Sequence, residues 1–324
     1  MMTQIWKVGR VLAIVCPGQG SQTPGFLSPW IEDSEARETL TQFSEFAGTD
    51  LTTHGTVSDE KTIRDTAVAQ PLIVAASFLC ARALGIGRGE APEGASAEKL
   101  LLAGHSVGEI PASALAGVLT EEQALRMIKV RADAMAEAAA HEQTSMAAVI
   151  GGDDAEVRTA IEKAGLTPAN VNGPGQIVAA GRGADLEELA QNAPARARVI
   201  PLSVAGAFHT EFMASAQQRL AEAAGALEPA DPQVRLLSNR DGETVLEGRE
   251  VLTRIVDQVT RPVRWDLCME TMRTRGVTGV LELLPGGTLT GLAKRGLKGT
   301  ASLAVKTPED LDAARTFIGE HAAA

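Results

Sequence analysis

The sequence lacks the residue patterns of several large protein classes. Its three cysteines lie far apart along 324 residues, and its five histidines show no metal-ligand spacing. These absences exclude a disulfide framework and a structural zinc site, so no metal is expected. The thiols should be reduced and mostly buried, as in a cytoplasmic protein. No run approaches the ~18 apolar residues that a membrane span requires, so no membrane association is expected.

Positive charge is also scarce. The net charge of −11 argues against nucleic acid or an anionic membrane surface as the main partner. Residues 1–10 carry basic side chains, but the apolar run that follows is short and lacks a small-residue cleavage site. A first strand is therefore predicted there, rather than a signal peptide. The 44% hydrophobic and 22% charged content is that of a globular protein, long enough for one large domain with an insert or for two domains.

Apolar runs and helical spacing predict alternating strands and helices. In the larger part of the chain, strands are predicted at 11–16, 99–103, 234–238 and 277–282, and helices at 66–84 (opening near Pro71), 109–116 and 121–140. Between about residues 141 and 204, strands at 146–150, 168–171, 176–180 and 198–203 alternate with helices at 153–164 and 184–191. That β-α-β-β-α-β order is ferredoxin-like and predicts a small domain inserted into a larger α/β domain.

One serine lies in the pattern of an activated nucleophile. The stretch Leu-Leu-Ala-Gly-His-Ser-Val-Gly-Glu-Ile at 101–110 places Ser106 in Gly-x-Ser-x-Gly, between a predicted strand and a predicted helix. This is the context that a nucleophile on a tight turn requires. Gly104 and Gly108 would permit the close packing, and the Val107 N–H would point at a developing oxyanion. From the residues alone, Ser106 could serve a hydrolase, a transferase or a purely structural turn.

A serine nucleophile requires a base. The best candidate is His209, in Gly-Ala-Phe-His-Thr, where the predicted insert returns to the large domain. A capping or surface role for His209 is an equal alternative. His105 adjoins the serine and could line the site, and His141 reads as a helix cap. His321 lies in the C-terminal tail and is expected to be solvated.

Two further features could belong to the site. The loop Pro-Gly-Gln-Gly-Ser-Gln at 17–22 follows the first strand but matches neither a dinucleotide-binding loop nor a Walker A loop. Its backbone N–H groups could instead help to hold an oxyanion. Arg131 lies among apolar neighbours on the predicted helix 121–140. If it is buried near the serine, it would clamp a carboxylate, whereas at the helix edge it would reach out to solvent.

Together these motifs resemble the malonyl-CoA:acyl carrier protein transacylase family, the acyltransferases that load fatty acid and polyketide synthases. They occur in the family order over nearly the whole chain. Besides the segments already described, the matching pieces are Gln70-Pro71, Asn172-Gly-Pro-Gly-Gln176, Arg261-Pro-Val-Arg-Trp265 and Pro285-Gly-Gly-Thr-Leu289. The resemblance implies an α/β-hydrolase-like large domain, residues 1–140 and 211–324, interrupted by a ferredoxin-like small domain, residues 141–210.

The resemblance also implies a role for each site residue. Ser106 would be the acylated nucleophile and His209 its base. Gln19 and Val107 would give backbone N–H groups to the oxyanion, and Arg131 would bind the malonyl carboxylate. The implied supporting residues are Gln258, which orients His209 through its backbone carbonyl, His105, Phe208, Gln70 and Asn172. The bulky Phe208 before His209 is more typical of family members that transfer malonyl than of those that transfer methylmalonyl. One departure, Arg261 where relatives often have Asn before the proline, leaves the surroundings of Gln258 less defined.

The implied reaction is ping-pong transfer of malonyl from malonyl-CoA to acyl carrier protein, without a cofactor, by a cytoplasmic monomer. A serine esterase or thioesterase is the first alternative, although no His-Gly-Gly-Gly motif is present. A non-catalytic docking module is the second. Because the carrier is acidic in this family, a local basic patch is expected. The two candidate patches are Lys294, Arg295 and Lys298, or Arg182, Arg196 and Arg198.

Overall fold

The structure, a computed structural model, describes residues 9–323, so the first eight residues of the predicted large domain lie outside it. The described strands form two sheets. They are β1 (Val11–Cys16), β2 (Leu100–Gly104), β3 (Thr144–Gly151), β4 (Thr167–Gly173), β5 (Gln176–Arg182), β6 (Ala197–Pro201), β7 (Arg235–Leu237), β8 (Thr244–Val245), β9 (Val263–Arg264), β10 (Val277–Glu282) and β11 (Ala301–Ala304).

Helices cover these sheets. They are α1 (Ser34–Ala47), α2 (Leu51–Thr56), α3 (Glu60–Arg64), α4 (Thr66–Ala83), α5 (Glu109–Leu115), α6 (Glu121–His141), α7 (Asp154–Lys163), α8 (Gly183–Gln191), α9 (Ala214–Gly225), α10 (Gly248–Gln258), α11 (Trp265–Thr274), α12 (Thr288–Gly296) and α13 (Leu311–Ala322). Every strand and helix predicted from the sequence has a counterpart among them, within a few residues at each end.

The larger sheet has the strand order β11-β10-β1-β2-β7-β8 and is parallel except for the β7–β8 pair. Its central strands β1 and β2 are almost wholly buried. Such near-continuous apolar runs are typical of parallel strands that are covered on both faces. Because parallel strands end at the same edge, the loops after β1 and β2 lie side by side, and they carry Gln19 and Ser106.

The smaller sheet has the order β6-β3-β5-β4-β9. Four of its strands, β3 to β6, pair antiparallel and alternate with α7 and α8 in the predicted β-α-β-β-α-β order. Its own apolar core includes Val149, Ile161 and Ile177. The short strand β9, far along the chain, adds to β4 in parallel and so ties this sheet to the rest of the protein.

Helix α4 begins at the residue that its helical spacing predicts, but it does not open near Pro71. The helix begins at Thr66, where the Asp65 side chain accepts a hydrogen bond from the Ala67 N–H at 2.8 Å, and Pro71 lies inside it. A good N-cap therefore decided the start, and not the proline. By length and composition α4 could cross a membrane, but 78% of it is buried within the protein, as in a core helix. The predicted burial of all three cysteines is confirmed.

The expectation that His321 is solvated is wrong. The side chain is partly buried, its Nδ1 lies 2.9 Å from Thr278 Oγ1, and its ring centroid lies 4.4 Å from that of Phe317. Burial lowers the pKa of His321 below its usual value. The reason is tertiary: α13 packs back against β10 and β1, so the segment that looked like a free tail lies against the large sheet.

Candidate active site

Ser106 lies on a turn that is too tight for side chains at its two flanking glycines. A Cβ on Gly104 would lie 1.9 Å from the carbonyl oxygen of Gly108, and one on Gly108 would lie 2.2 Å from that of Cys16. Ser106 itself has a φ of 55°, in the left-handed region that non-glycine residues rarely adopt. Strained backbone of this kind clusters at functional sites. The Gly-x-Ser-x-Gly pattern therefore forms the tight strand-to-helix turn that the sequence predicts.

The side chain of His209 meets that serine. Ser106 Oγ lies 2.8 Å from His209 Nε2, and His209 Nδ1 lies 2.8 Å from the backbone oxygen of Gln258. Since a carbonyl oxygen only accepts, Nδ1 carries the proton and Nε2 of the neutral ring is free to accept from the serine. Burial, and next the charge of Arg131, lower the pKa of His209 to about 3. The histidine is thus held in its basic form, oriented by a backbone carbonyl rather than by a carboxylate.

Two buried residues that sequence reasoning missed surround this pair. The amide of Asn239 accepts from the Ser106 N–H at 2.8 Å and donates to the Gly104 oxygen at 2.7 Å. Glu109 accepts from the Asn239 N–H at 2.6 Å and from the side-chain amide of Gln258. The sequence contains a hint of the role of Glu109, because this acidic residue directly follows the serine motif and begins a mostly apolar helix. The sequence contains no such hint for Asn239, because this residue lies in the loop after β7, far from the serine along the chain.

Arg131 is buried, with 1% of its surface exposed, which excludes a solvated position at the helix edge. Its guanidinium donates to the side-chain oxygens of Gln70 at 2.7 Å and of Gln258 at 3.3 Å. Burial lowers the pKa of Arg131 to about 10, and the charge of Glu109 opposes this shift. Among the described residues, none forms a salt bridge with Arg131. A buried cation held by neutral amides is suited to receive an anionic group.

A cavity of about 240 Å³ opens between the two sheets at Ser106 and His209. Gln19, Gln70, His105, Asn172 and Phe208 also line it. Three other predicted residues, Val107, Arg131 and Gln258, are buried behind this lining. The rest of the lining comprises Gly18, Asn170, Gln176 and Thr288 together with the apolar residues Met135, Met146, Ala148, Val178, Leu202, Val204, Leu289 and Leu292. A small cavity of this kind suits a short acyl chain better than a large ligand.

His105 joins the two sides of the cavity. Its Nε2 lies 2.8 Å from Asn172 Oδ1 on β4, and its ring packs edge-on against Trp265 at 5.7 Å between centroids. Burial lowers the pKa of His105, so the ring is neutral and Nε2 donates to the asparagine oxygen. A Cβ on Gly18 would lie 2.9 Å from His105 Nδ1, which explains why the loop after β1 needs a glycine there.

Residues 9–323 contain no group of three or more histidine, cysteine, aspartate or glutamate side chains placed to hold a metal ion. The cavity and the residues behind it offer a serine with a neutral histidine, backbone donors from two adjoining loops and a buried arginine. Such a set can form and break an acyl-serine ester.

Comparison with known proteins agrees with this class. The acyl transferase domain family matches residues 13–320, which makes the chain an acyltransferase. The malonyl CoA-acyl carrier protein transacylase of Mycobacterium tuberculosis is 49% identical over 303 residues, covering 93% of this chain and 98% of that protein. The enzyme of the same name from Escherichia coli K12 is 33% identical over 309 residues, covering 93% and 98%.

Solved structures share the mixed α/β fold. The crystal structure of the Mycobacterium tuberculosis enzyme superposes with a TM-score of 0.88 at 48% identity, covering 94% of this chain and 99% of that one. A malonyl-transacylase in complex with its type II polyketide synthase acyl-carrier protein superposes with a TM-score of 0.86 at 31% identity, covering 94% and 99%. The chain belongs to the malonyl-CoA:acyl carrier protein transacylase family.

Proposed function

We propose that the protein transfers the malonyl group from malonyl-CoA to the phosphopantetheine thiol of an acyl carrier protein, through an acyl-enzyme on Ser106. The observation that carries this proposal is the 2.8 Å contact between Ser106 Oγ and the basic nitrogen of His209, at the wall of a small cavity. The names of the relatives supply the acyl group and the carrier.

In the first half-reaction, Ser106 Oγ attacks the thioester carbonyl while His209 Nε2 takes the hydroxyl proton. The backbone N–H groups of Val107 and Gln19 hold the oxyanion of the tetrahedral intermediate. When the intermediate collapses, the C–S bond breaks, and His209 returns the proton to the departing CoA thiolate. The Gln258 carbonyl, bonded to Nδ1, stabilises the transient imidazolium.

The second half-reaction reverses these steps with a different thiol. His209 takes the proton of the carrier's phosphopantetheine thiol, whose sulfur attacks the acyl-serine ester. The oxyanion forms again in the same place, the ester C–O bond breaks, and Ser106 recovers its proton from His209. The two halves use one site in turn, which makes the kinetics ping-pong.

Arg131 would select the acyl group. Its buried charge is held by two neutral amides, so a malonyl carboxylate that reached it would gain a charge-assisted, two-bonded partner. Acetyl has no such group and would leave the guanidinium with its two amide partners alone. Phe208 lines the same cavity and would narrow the space available to an α-methyl group.

The proposal extends to the domains and the carrier. We assign residues 1–140 and 211–324 to an α/β-hydrolase-like domain and residues 141–210 to a ferredoxin-like insert, supported by the two sheet topologies. For the acidic carrier we favour the patch of Lys294, Arg295 and Lys298, all exposed, because Arg295 donates to the cavity-lining Gln176. Arg182, in the other patch, pairs with Glu142 instead. A monomeric state and a cytoplasmic location stay predictions from the sequence.

The decisive experiment follows radiolabelled malonyl from CoA to acyl carrier protein, with Ser106→Ala as the control. We expect label on the protein alone when the carrier is omitted, and on the carrier when it is added. Rapid release of free malonate without carrier would instead indicate a hydrolase. Absence of a Ser106 acyl-enzyme by mass would indicate a docking module.

A further inference from the structure

A buried carboxylate lies between the two halves of the candidate dyad without touching either reacting side chain. Glu109, the first residue of α5, is 4% exposed. One of its oxygens accepts from the Asn239 N–H at 2.6 Å, and the other accepts from Gln258 Nε2. The two partners lead to the two halves of the site. Asn239 contacts the serine turn, and Gln258 contacts the histidine through its backbone oxygen and the Ser106 backbone oxygen through its side-chain nitrogen at 3.4 Å.

On the serine side, the Asn239 amide spans the tight turn. Its oxygen takes the Ser106 N–H and its nitrogen gives a hydrogen bond to the Gly104 carbonyl. The backbone of Ser106 is thereby held in its left-handed conformation. Since Asn239 is itself held by Glu109 through its backbone N–H, the carboxylate sets where this amide lies.

On the histidine side, Gln258 is held at several points. Its side-chain nitrogen donates to Glu109 and, at 3.2 Å, to Asn239 Oδ1, while its side-chain oxygen accepts from Arg131 at 3.3 Å. Its backbone oxygen accepts from His209 Nδ1. A displacement of the Gln258 side chain would shift this carbonyl and, with it, the histidine ring.

The hydrogen bonds require the anionic carboxylate, because both oxygens accept from N–H groups. The charged and titratable groups facing it are Arg131 from α6, Arg254 from α10 and the Cys268 thiol from α11. Burial raises the pKa of Glu109 to about 8, while the backbone N–H of Asn239 and the two arginines favour the anion. When Glu109 loses its proton around this pH, both of its carboxylate oxygens become available to accept these hydrogen bonds.

We propose that Glu109 is a positioning residue, whose carboxylate aligns Ser106 and His209 by holding Asn239 on one side and Gln258 on the other. The Gln258 carbonyl occupies the place of an acidic third member beside His209, and Glu109 acts on the histidine only through Gln258. This inference deepens the proposed function, but it concerns the activation of Ser106 and does not depend on which acyl group the serine carries.

The test measures the rate at which an alkyl fluorophosphonate labels Ser106 in the full-length protein, followed by intact mass. In this step the serine oxygen bonds to phosphorus, fluoride leaves, and His209 takes the hydroxyl proton. The probe has no carboxylate, so the malonyl-binding role of Arg131 does not enter. The variants are Glu109→Gln and Glu109→Asp, with Glu122→Gln, an exposed glutamate in the first turn of α6, as the matched control.

We expect Glu109→Gln to slow labelling roughly 10- to 100-fold, because an amide cannot accept from both N–H groups and the lost bonds are to a charged acceptor. Glu109→Asp, which keeps the charge at a shorter reach, should recover part of the rate, and Glu122→Gln should label at the parent rate. The parent's rate should also rise with pH as Glu109 ionises, and this rise should be absent in Glu109→Gln.

Circular dichroism gives the folded fraction of each variant, to which its labelling rate is normalised. Labelling of Glu109→Gln at the parent rate would overturn the inference. So would an unchanged pH profile. If Glu109→Gln does not fold, a Glu109→Asp profile identical to the parent's in rate and pH dependence would overturn it equally. Failure of the proposed function looks different: the probe would label Ser106 with full Glu109 dependence, yet no malonyl would reach the carrier.

Discussion

The two walls of the cavity are built in different ways. The wall formed by the large sheet carries directional groups, and Ser106, Glu109 and Asn239 are linked by hydrogen bonds of 2.6–2.8 Å. The wall formed by the smaller sheet presents the apolar side chains of Met146, Ala148 and Val178 beside the amides of Asn170, Asn172 and Gln176. The nucleophile and the carboxylate behind it belong to the first wall, whereas the apolar side chains of the second wall set the volume of the cavity.

The difference predicts how each wall responds to substitution. A hydrogen-bonded network fails when one buried partner is removed, because the other is left unsatisfied. A change in the volume of an apolar side chain alters which ligand fits the cavity. Each atom added or removed there changes the binding free energy by less than the loss of a buried hydrogen bond does. Substitutions on the polar wall should therefore reduce the rate, whereas those on the apolar side should shift selectivity.

The largest effect is expected at the nucleophile. Ser106→Ala removes the atom that carries the acyl group, and malonyl transfer should fall by about 10⁴-fold or more. Transfer to acyl carrier protein is measured with labelled malonyl-CoA. Ser113→Ala, a buried serine whose hydroxyl donates to the Ile110 carbonyl of its own helix, is the matched control and should keep its activity. Substantial transfer by Ser106→Ala would contradict the acyl-enzyme.

Arg131→Ala should remove the selection for a carboxylate. Losing the partner of a buried charge costs about 3–5 kcal/mol, so kcat/KM for malonyl-CoA should fall by roughly 10²- to 10³-fold. Acetyl-CoA should then compete, which is measured with mixed donors. Arg126→Ala, an exposed arginine on the same helix, should leave selectivity unchanged. If Arg131→Ala still rejects acetyl as strongly as the parent, the assigned role is wrong.

The buried histidine should make stability depend on pH. His209 has an ordinary pKa of 6.5 and a folded pKa lowered to about 3. Between these pH values the unfolded chain binds a proton that the folded chain does not bind. The free energy of unfolding therefore falls as the pH falls through this range. Relative to the parent, His209→Gln should lose less unfolding free energy between about pH 6.5 and 5, by up to about 2 kcal/mol. Urea titrations at each pH measure this difference, and equal losses would count against a neutral buried ring.

On the apolar side, Phe208→Ala should widen the cavity. We expect the ratio of kcat/KM for methylmalonyl-CoA to that for malonyl-CoA to rise about tenfold, since one methyl group is worth about 1–3 kcal/mol in a fitted pocket. Competition between the two donors gives the ratio directly. Phe212→Ala, whose ring packs under Arg182 away from the cavity lining, is the control. A large loss of rate with no change in the ratio would indicate that Phe208 supports the catalytic groups rather than setting the size of the cavity.

The smallest effect is expected outside both walls. Reversing the charge of Lys294 and Arg295 should raise the KM for acyl carrier protein several-fold at low salt and reduce its salt dependence, because exposed charges act mainly on association. The KM for malonyl-CoA should not change. Reversing Lys61 and Arg64, two exposed cations on α3, serves as the charge-matched control. An unchanged carrier KM at all salt concentrations would exclude this patch.

Sequence reasoning reached the serine turn, the two central strands and the small-sheet element order because each depends on residues close together in the chain. His209 and Arg131 were already candidates from the residues, and the resemblance supplied their roles and added Gln258. It did not reveal Glu109 and Asn239 as parts of the site, since their partners come from β2, α10 and the loop after β7. The misjudged His321 shares this cause: a helix that looked like a tail packs against a sheet formed by distant strands.

By itself, the sequence determined the shape of the serine turn. Gly104 and Gly108 are required by contacts within the turn and with the neighbouring strand end, so any chain that folds this strand and helix must bend there. Only the tertiary structure decided that Ser106 has a neutral base. The 2.8 Å contact with His209 and the lowered pKa of that ring both arise from packing, because distance and loss of solvent depend on segments that lie far apart along the chain.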